Sequence, residues 1–255
     1  DFATKAHEGQ KRKSGEPYIV HPLAVMQILI DWGMDEDTII AGVLHDTVED
    51  TEVTLDDIKR EFGESVAFLV DGVTKIGKAR QGMRDIDTYL PVTRDNLLRL
   101  LIATGSDIRV LIMKLADRLH NLRTLAALPP EKQKKIAKES LEIFAPLADR
   151  LNMGKLRVEM SDIAFSYVDP KRYAELKKLI ETRNQSAEKA LKKIKDEVSE
   201  VLKREKINFE INGRVKSVYS LHKKLAKYNQ NINEVYDLTA LRVIVDDVTS
   251  CYLVL

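Results

Sequence analysis

Hydrophobic residues recur at three- and four-residue spacing through the first 205 positions, which is the pattern of helices that bury one face. Glycine, proline or polar turns separate one stretch of this pattern from the next. The pattern predicts helices over residues 2–8, 22–32, 37–50, 54–60, 64–72, 93–104, 107–125, 131–148, 155–166 and 171–205. We therefore expect a mainly α protein up to about residue 205.

The pattern changes beyond residue 205. Residues 208–211 and 241–245 are short, apolar and rich in β-branched side chains, which is typical of strands. They flank one more predicted helix at about 217–227. This is a shift of structural class, so we place a domain boundary near residue 205.

The predicted helix over 171–205 is long and basic. Residues 171–227 carry 17 lysines and arginines against 8 aspartates and glutamates, although the net charge of the chain is only +1. Its apolar positions are Leu176, Ile180, Ala187, Leu191, Ile194, Val198 and Val201. Such a seam is typical of a helix packed on a neighbour, so we interpret the segment as a connector. A ligand site is the alternative, although no aromatic residues that could stack on bases are interleaved with the lysines.

The composition is that of an ordinary protein of one or two domains, with 255 residues of which 44% are hydrophobic and 32% charged. Cys251 is the single cysteine, so we expect no disulfide framework, no cysteine-rich zinc site and a reducing cytoplasm. No apolar run approaches the roughly 20 residues of a membrane helix, and no signal peptide is recognised. Because the chain opens without Met and stops on apolar residues 253–255, we expect a fragment.

Candidate chemistry begins in the predicted helix over 37–50. In a continuous helix, Glu49 lies one turn below His45 and Asp50 one turn below Asp46. Three carboxylates on one edge repel each other and are costly to desolvate, and a divalent metal would remove that cost. A core histidine beside a solvated acidic face is the alternative interpretation.

A second candidate is the loop over residues 9–17, where Lys11, Arg12 and Lys13 lie between glycines. Consecutive cations suit a phosphate or the face of a purine ring, although an exposed loop is the alternative. The loop leads to His21, which precedes Pro22 at a predicted helix entrance and is well placed to point into a cleft.

The third candidate is a polar face on the predicted helix over 107–125. Asp117, Asn121 and Thr124 fall on one side of this helix. Asp117 follows an apolar run, and a buried aspartate needs a metal, an arginine or a helix N-terminus as its partner.

Taken together, the motifs resemble the RelA/SpoT homologue family, the bifunctional (p)ppGpp synthetase/hydrolases of the bacterial stringent response. The matching strings are Gly9-Gln10 with Arg12-Lys13-Ser14-Gly15-Glu16-Pro17-Tyr18 and His21-Pro22, His45-Asp46-Thr47-Val48-Glu49-Asp50-Thr51, Lys114-Leu115-Ala116-Asp117-Arg118-Leu119-His120-Asn121, and Gly213-Arg214-Val215-Lys216-Ser217. The resemblance implies an all-helical HD-superfamily hydrolase domain over 1–165 and a helical connector over 166–205. It also implies the truncated start of an α/β nucleotidyltransferase-like synthetase domain over 206–255.

The resemblance implies one Mn²⁺ in the hydrolase domain and a role for each matching residue. The implied ligands are His21, His45, Asp46 and Asp117. The implied residues that position or activate the attacking water are Glu49 and Asp50, and the substrate-side residues are Arg12 and Lys13 against guanine with Asn121 and Thr124 on the nucleotide. The implied reaction removes the 3′-pyrophosphate of (p)ppGpp and leaves GDP or GTP. Synthetase-only members are degenerate at the acidic pair, so its presence here implies a hydrolase-competent member.

In the second domain, Arg214 and Lys216 match the residues that contact ATP phosphates, and Asp237 matches the carboxylate that holds Mg²⁺. The family's remaining synthetase residues belong beyond residue 255, so we expect no (p)ppGpp synthesis from this fragment. Any ribosome contact would come from regions absent here. The sequence leaves the oligomeric state, the regulatory signal and the preferred conformation open.

Two departures from the family pattern concern residues 80–91, which lack the usual acidic and glutamine-rich composition, and Asp149, which replaces a frequent histidine. The second changes the residue at one substrate-side position of the family. Two other functions stay open: an HD-type metal phosphohydrolase for other nucleotides, and a non-catalytic regulator that binds ppGpp.

Overall fold

The computed structural model describes residues 1–86, 107–215, 217–228 and 239–254, with side chains except at 76–86, 184–190, 214–215 and 239–240. The chain divides into two compact units, Asp1–Tyr167 and Val168–Leu255. The predicted helix over 93–104 lies outside the described residues. The prediction of a mainly α protein is confirmed, while the predicted domain limits stay predictions.

The first unit is built from helices. In the described part of the chain they are α1 Phe2–Ala6, α2 Val20–Asp31, α3 Glu36–Leu44, α4 Thr47–Asp50, α5 Leu55–Phe62, α6 Glu64–Ile86, α7 Ile108–Arg123, α8 Pro130–Glu139, α9 Ala145–Arg150 and α10 Gly154–Val168. A short 3₁₀ helix, Leu125–Ala127, follows α7, and a π-helical turn, Ser140–Phe144, joins α8 to α9.

Helix α7 is the centre of this unit and packs on α2, α3 and α6. Its apolar residues Leu111 and Leu115 are completely buried. Burial continues around the helix, because Lys114, Asp117 and Arg118 are each less than one-tenth exposed. Charged groups lose hydration when they are buried, so these three side chains need partners within the protein.

The N-termini of α3 and α7 are capped and tied together. Asp35 accepts a hydrogen bond from the backbone N–H of Thr38 (3.2 Å), and Asp107 accepts one from the backbone N–H of Arg109 (2.9 Å). Such side-chain acceptors satisfy donors that a helix start leaves unpaired. The Arg109 guanidinium also donates to Asp35 (3.1 Å). One arginine therefore fixes the two helices that carry much of the candidate site.

The predicted continuous helix over 37–50 is wrong, because the chain turns at His45 and Asp46 between α3 and α4. The end of α3 leaves carbonyl groups without helical donors. Nδ1 of His45 contacts the Gly42 carbonyl at 2.8 Å, and the Thr47 hydroxyl donates to the Leu44 carbonyl at 2.7 Å. These side-chain bonds stabilise the break and hold His45 in place.

The predicted helix over 131–148 is also interrupted, in this case by the π-helical turn. Pro146 lies just beyond that turn. A proline has no N–H, and its ring clashes with the carbonyl four residues earlier in a regular helix. The wider π turn accommodates this defect without ending the helical direction.

The second unit contains α11 Pro170–Arg204, β1 Phe209–Val215, α12 Val218–Lys227, β2 Thr239–Val245 and α13 Val248–Val254. The strands pair antiparallel, from Phe209 opposite Val245 to Val215 opposite Thr239. Helix α11 packs on α12 and on both strands. The two strands predicted after residue 205 are present and longer than predicted, whereas α13 was missed.

The apolar seam of α11 is only partly buried. Leu176 and Ile180 are buried, whereas Ile194 and Val201 are each about half exposed. The seam is therefore packed as predicted near the start of α11, whereas Ile194 and Val201 are partly exposed to solvent. The connector function stays a prediction.

The contact between α6 and α7 should be sensitive to one methyl group. A Cβ atom at Gly72 would lie 2.7 Å from Cγ2 of the buried Val110. A β-branched side chain has little rotamer freedom with which to avoid that overlap. We expect Gly72→Ala to lower the free energy of unfolding of this unit by about 1–3 kcal/mol in urea denaturation.

Gly154→Ala is the control, because a Cβ atom there meets nothing within 4 Å. Gly154 is the first residue of α10, where the preference for alanine over glycine is weaker than in a helix interior, so this variant should keep its stability. Equal losses in the two variants would contradict a tight contact between α6 and α7.

Candidate metal centre

Three segments of the first unit bring four predicted ligands together. His21 comes from the first turn of α2, His45 and Asp46 from the turn after α3, and Asp117 from the middle of α7. Nε2 of His21 lies 3.3 Å from Oδ1 of Asp117 and 3.6 Å from Oδ2 of Asp46. Potential ligand atoms of His21, His45 and Asp46 lie within 4.8 Å of one another. The assignment of the four side chains as ligands stays a prediction.

His45 provides the test of whether a cation fits. Its Nδ1 contacts the Gly42 carbonyl, while Nε2 is buried and makes no hydrogen bond within the described part of the chain. Nε2 lies 3.0 Å from Oδ1 of Asp46. Burial disfavours the charged ring, but the carboxylates of Asp46 and Asp117 outweigh it and raise the pKa of His45 to about 9. This position favours a positive charge, either a proton or a metal ion.

The two candidate carboxylate ligands are held in their charged form. Burial favours a higher pKa for Asp46, but the neighbouring His45 lowers the pKa below its ordinary value. Burial acts on Asp117 in the same direction, and Lys114 with His21 lowers its pKa well below the usual range. Two carboxylates with two imidazoles form a donor set for a divalent metal.

The ring of His21 is oriented by a residue that the sequence did not single out. Nδ1 of His21 lies 2.7 Å from Nδ1 of the buried His120. Burial lowers the pKa of His21, and burial with the nearby His21 lowers the pKa of His120 to about 4. The contact uses Nδ1 of His21 and leaves Nε2 beside the carboxylates. A second residue that fixes a ligand ring is usual at metal centres.

Tyr18 connects the cluster to the acidic pair. Its hydroxyl lies 2.9 Å from Oδ2 of Asp46 and 2.7 Å from Oδ2 of Asp50. The hydroxyl carries one proton, so it donates to one carboxylate at a time. The ring of Tyr18 stacks on His7, with 4.6 Å between centroids. The predicted proximity of Asp46 and Asp50 therefore holds despite the break between α3 and α4.

Glu49 lies in a predominantly acidic environment. Burial raises its pKa above the ordinary value, and the charge of Lys114 opposes that rise. A carboxylate with a raised pKa is a better proton acceptor than an ordinary glutamate. The sequence predicted Glu49 as a catalytic residue, and this role also stays a prediction.

A cavity of about 460 Å³ joins these groups to the basic loop. Its size lies in the range of small-molecule sites. The predicted residues on its wall are Arg12, Lys13, His21, Asp46, Glu49, Asp50, Asp117, Asn121 and Thr124. Nη2 of Arg12 lies 3.1 Å from Oδ1 of Asn121 and 3.5 Å from the Thr124 hydroxyl. The cavity has an acidic wall at the cluster and basic groups from the loop.

The two departures from the family pattern are residues 80–91 and Asp149. Asp149 pairs with Nε of Arg157 at 2.9 Å and does not line the described cavity wall. Residues 80–86 continue the backbone of α6, and 87–91 lie outside the described residues.

The predicted synthetase residues cannot be placed as a site. Lys216 and Asp237 lie outside the described residues, and Arg214 is described only as part of β1. Their roles, and the expected lack of synthesis, stay predictions. No helix in the described ranges is long and apolar enough to cross a membrane.

Comparison with known proteins gives two family matches. Residues 1–154 match the HD domain, and residues 213–255 match the region found in RelA/SpoT proteins. These matches agree with the helical first unit and with the sheet that begins near the C-terminus. Together, the HD match and the His/Asp cluster indicate a divalent metal, without choosing which one.

Three curated relatives align with almost the whole chain. The GTP pyrophosphokinase of Streptomyces coelicolor is 46% identical over 98% of this chain and 29% of its own length. The guanosine-3′,5′-bis(diphosphate) 3′-pyrophosphohydrolase of Aquifex aeolicus is 43% identical over 100% of this chain and 36% of its own length. The bifunctional (p)ppGpp synthase/hydrolase SpoT of Escherichia coli is 40% identical over 99% of this chain and 35% of its own length. The chain thus spans about a third of the length of these relatives.

The environment of His120 should produce a pH dependence of stability in metal-free protein. The unfolded chain binds a proton at this residue near pH 6.5, whereas the folded chain binds it only near pH 4. Between these values the unfolded state holds more protons, so stability falls as the pH falls. We expect chelator-treated wild-type protein to lose more stability between pH 7 and about pH 4.5 than His120→Asn.

Urea denaturation at several pH values would measure this difference. Subtracting the variant's profile removes the contributions of titrating groups that the two proteins share. Parallel profiles would show that His120 titrates alike in the folded and unfolded states.

Proposed function

Because the chain belongs to the RelA/SpoT homologue family, we propose that its HD domain hydrolyses the 3′-pyrophosphate of (p)ppGpp to GDP or GTP and pyrophosphate. The observation that carries the proposal is the position of Glu49 and Asp50 on the cavity wall beside His21, Asp46 and Asp117. This arrangement puts two carboxylates that can accept a proton next to a cluster that can bind a cation. Metal-dependent hydrolysis of a phosphate uses both kinds of group.

We propose Mn²⁺ as the metal and His21, His45, Asp46 and Asp117 as the residues that hold it. Mixed imidazole and carboxylate donors suit Mn²⁺ among other divalent ions. The bound ion would supply Lewis acidity towards a water molecule and a phosphoryl oxygen. His120 orients the His21 ring, and the Gly42 carbonyl orients the His45 ring, so both Nε2 atoms stay available.

The acidic pair receives the proton of the attacking water. Glu49 suits this role because burial raises its pKa, while Tyr18 holds Asp50 in position. The water oxygen bonds to the phosphorus attached to the ribose 3′ oxygen, and the bond from phosphorus to that oxygen breaks. The 3′ oxygen keeps the electron pair and takes up a proton, so one water is consumed for each pyrophosphate released.

Arg12, with Lys13 beside it, supports the guanine ring at the basic side of the cavity. Contacts with Asn121 and Thr124 hold the plane of the Arg12 guanidinium. A fixed guanidinium plane favours stacking on a purine. The proposed ligands are therefore the guanine nucleotides ppGpp, pppGpp, GDP and GTP. A full-length member of the family would also transfer pyrophosphate from ATP to GDP or GTP, with Mg²⁺ in its second domain.

The first test is pyrophosphate release from ppGpp with and without Mn²⁺. We expect Mn²⁺-dependent release by the wild-type chain and a loss of at least about 100-fold in His45→Ala/Asp46→Ala, because two candidate ligands are removed. Glu61→Ala is the control, since Glu61 is exposed and outside the described cavity wall. Tight ppGpp and Mn²⁺ binding without release would support a non-catalytic ppGpp-binding regulator instead.

The second test separates guanine nucleotides from other nucleotides. We expect Arg12→Ala/Lys13→Ala to raise the KM for ppGpp by about 10-fold or more, because a stacked and charge-assisted contact is lost. Mn²⁺ affinity, measured by calorimetry, should stay unchanged in this variant. Unaltered ppGpp kinetics would favour the alternative of an HD-type phosphohydrolase that acts on other nucleotides.

A further inference from the structure

Lys114 is a buried cation to which the proposed hydrolysis assigns no task. It lies on α7 with 8% of its surface exposed. Its Nζ is 2.7 Å from Oδ2 of Asp117. Burying an ammonium group is costly without a partner, and the ion pair with Asp117 reduces that cost.

The contacts that stabilise the Asp117 carboxylate do not by themselves explain why residue 114 is a lysine. Oδ1 of Asp117 accepts a hydrogen bond from Asn121 and faces Nε2 of His21, while Oδ2 contacts Lys114. A neutral donor could orient Oδ2 equally well. An ammonium draws negative charge from a carboxylate that would bind a metal, and it repels the metal. The positive charge therefore calls for a second explanation.

That explanation lies in the cavity. Lys114 lines it together with Glu49 and Asp50. The electric field of Lys114 reaches Glu49, whose pKa it lowers against the effect of burial. An ammonium has three N–H donors, and Asp117 is the one partner found for Lys114 among the residues that the structure describes. The side chain thus combines a fixed position with donor capacity at the cavity wall.

The carboxylates on the cavity wall also favour a cation close to the substrate's phosphates. Asp46, Glu49, Asp50 and Asp117 meet at one wall. Even with a divalent ion bound, a pyrophosphoryl group would add negative charge to an excess of carboxylates. Lysine binds phosphate oxygens as a compact point charge with rotatable donors. The loop cations line the same cavity and Arg118 on its wall is paired with Glu139, whereas Lys114 is in contact with the cluster itself.

We propose that Lys114 binds the oxygens of the substrate's pyrophosphoryl group. This inference rests on the proposed hydrolysis for the identity of the substrate. It adds a phosphate-binding residue to a site in which the sequence had assigned only ligands, acids and nucleotide contacts. Lys114 acts through charge and hydrogen bonds and forms no covalent bond. Its contact with Asp117 holds the ammonium on the cavity wall beside the candidate ligands.

Calorimetry with inorganic pyrophosphate, GDP and Mn²⁺ tests the assignment on the full 255-residue chain. With Mn²⁺ bound, Lys114→Met should weaken pyrophosphate binding by about 10- to 100-fold, the range for loss of a hydrogen bond to a charged group. GDP, which has no 3′ group, should bind as it does to wild type. Mn²⁺ should bind as tightly or more tightly, because Asp117 loses a competing cation.

Lys75→Met is the matched control. It removes the same charge from an exposed side chain whose ion-pair partner is Asp71. Pyrophosphate, GDP and Mn²⁺ should all bind to it as to wild type. If Lys114→Met instead weakens Mn²⁺ and pyrophosphate by the same factor, or leaves the ratio of pyrophosphate to GDP affinity unchanged, Lys114 only positions Asp117 and the proposal is wrong.

A second pair of variants decides the question if Lys114→Met does not fold. Lys114→Arg keeps the charge, and Lys114→Gln keeps a donor without the charge. We expect pyrophosphate affinity to fall in the order lysine, arginine, glutamine, and equal affinities for the last two would overturn the proposal. Failure of the proposed function would be seen separately, as wild-type protein that binds pyrophosphate through Lys114 yet releases none from ppGpp.

Discussion

The structure depends on one constraint, which is that four carboxylates line the same cavity. One of them belongs to the buried helix α7. Asp117 on α7 is buried, and it shares the cavity wall with Asp46 from the turn after α3 and with Glu49 and Asp50 from α4. Without compensation, repulsion and lost hydration would favour protonation of these groups or an open structure. Compensation comes from His45, from Lys114 and from the hydroxyl of Tyr18. A divalent cation would complete it, which is why the same constraint points to function.

Two interruptions of regular helix serve this arrangement. The turn between α3 and α4 places His45 and Asp46 at the end of a helix, where side chains are not confined to one helical face. The π-helical turn before Pro146 carries Phe144, whose ring lies 4.1 Å beneath the guanidinium of the buried Arg118. Arg118 also pairs with Glu139 at 3.0 Å and lines the cavity. Local departures from ideal geometry often accompany functional sites, because regular structure alone cannot aim every side chain.

The relatives carry names for both synthesis and hydrolysis of the same nucleotide, so overall similarity does not separate the two activities. The chemistry of the site in the first unit is the reason why we propose hydrolysis. An intact acidic pair beside a cation-binding cluster suits the activation of water. Transfer between nucleotides would depend on the second unit, where Lys216 and Asp237 lie outside the described residues.

The sequence by itself determined most helices, the change of class after residue 205 and the residue types of the site. Periodicity, capping and proline placement act over a few residues, so they can be read from a short stretch of chain. The resemblance then grouped distant motifs into one site. It could not reveal which side chains touch. The hydrophobic periodicity, in turn, missed the break at His45.

Only the tertiary structure decided the partners of those residues. His21 meets His120 across 99 positions, and Arg12 meets Asn121 across 109. Tyr18 reaches both Asp46 and Asp50, and Lys114 is buried against Asp117 although lysine is usually exposed. Such contacts depend on how α2, α3 and α7 pack. No local pattern encodes them, because the energy of a buried charge depends on every group that surrounds it.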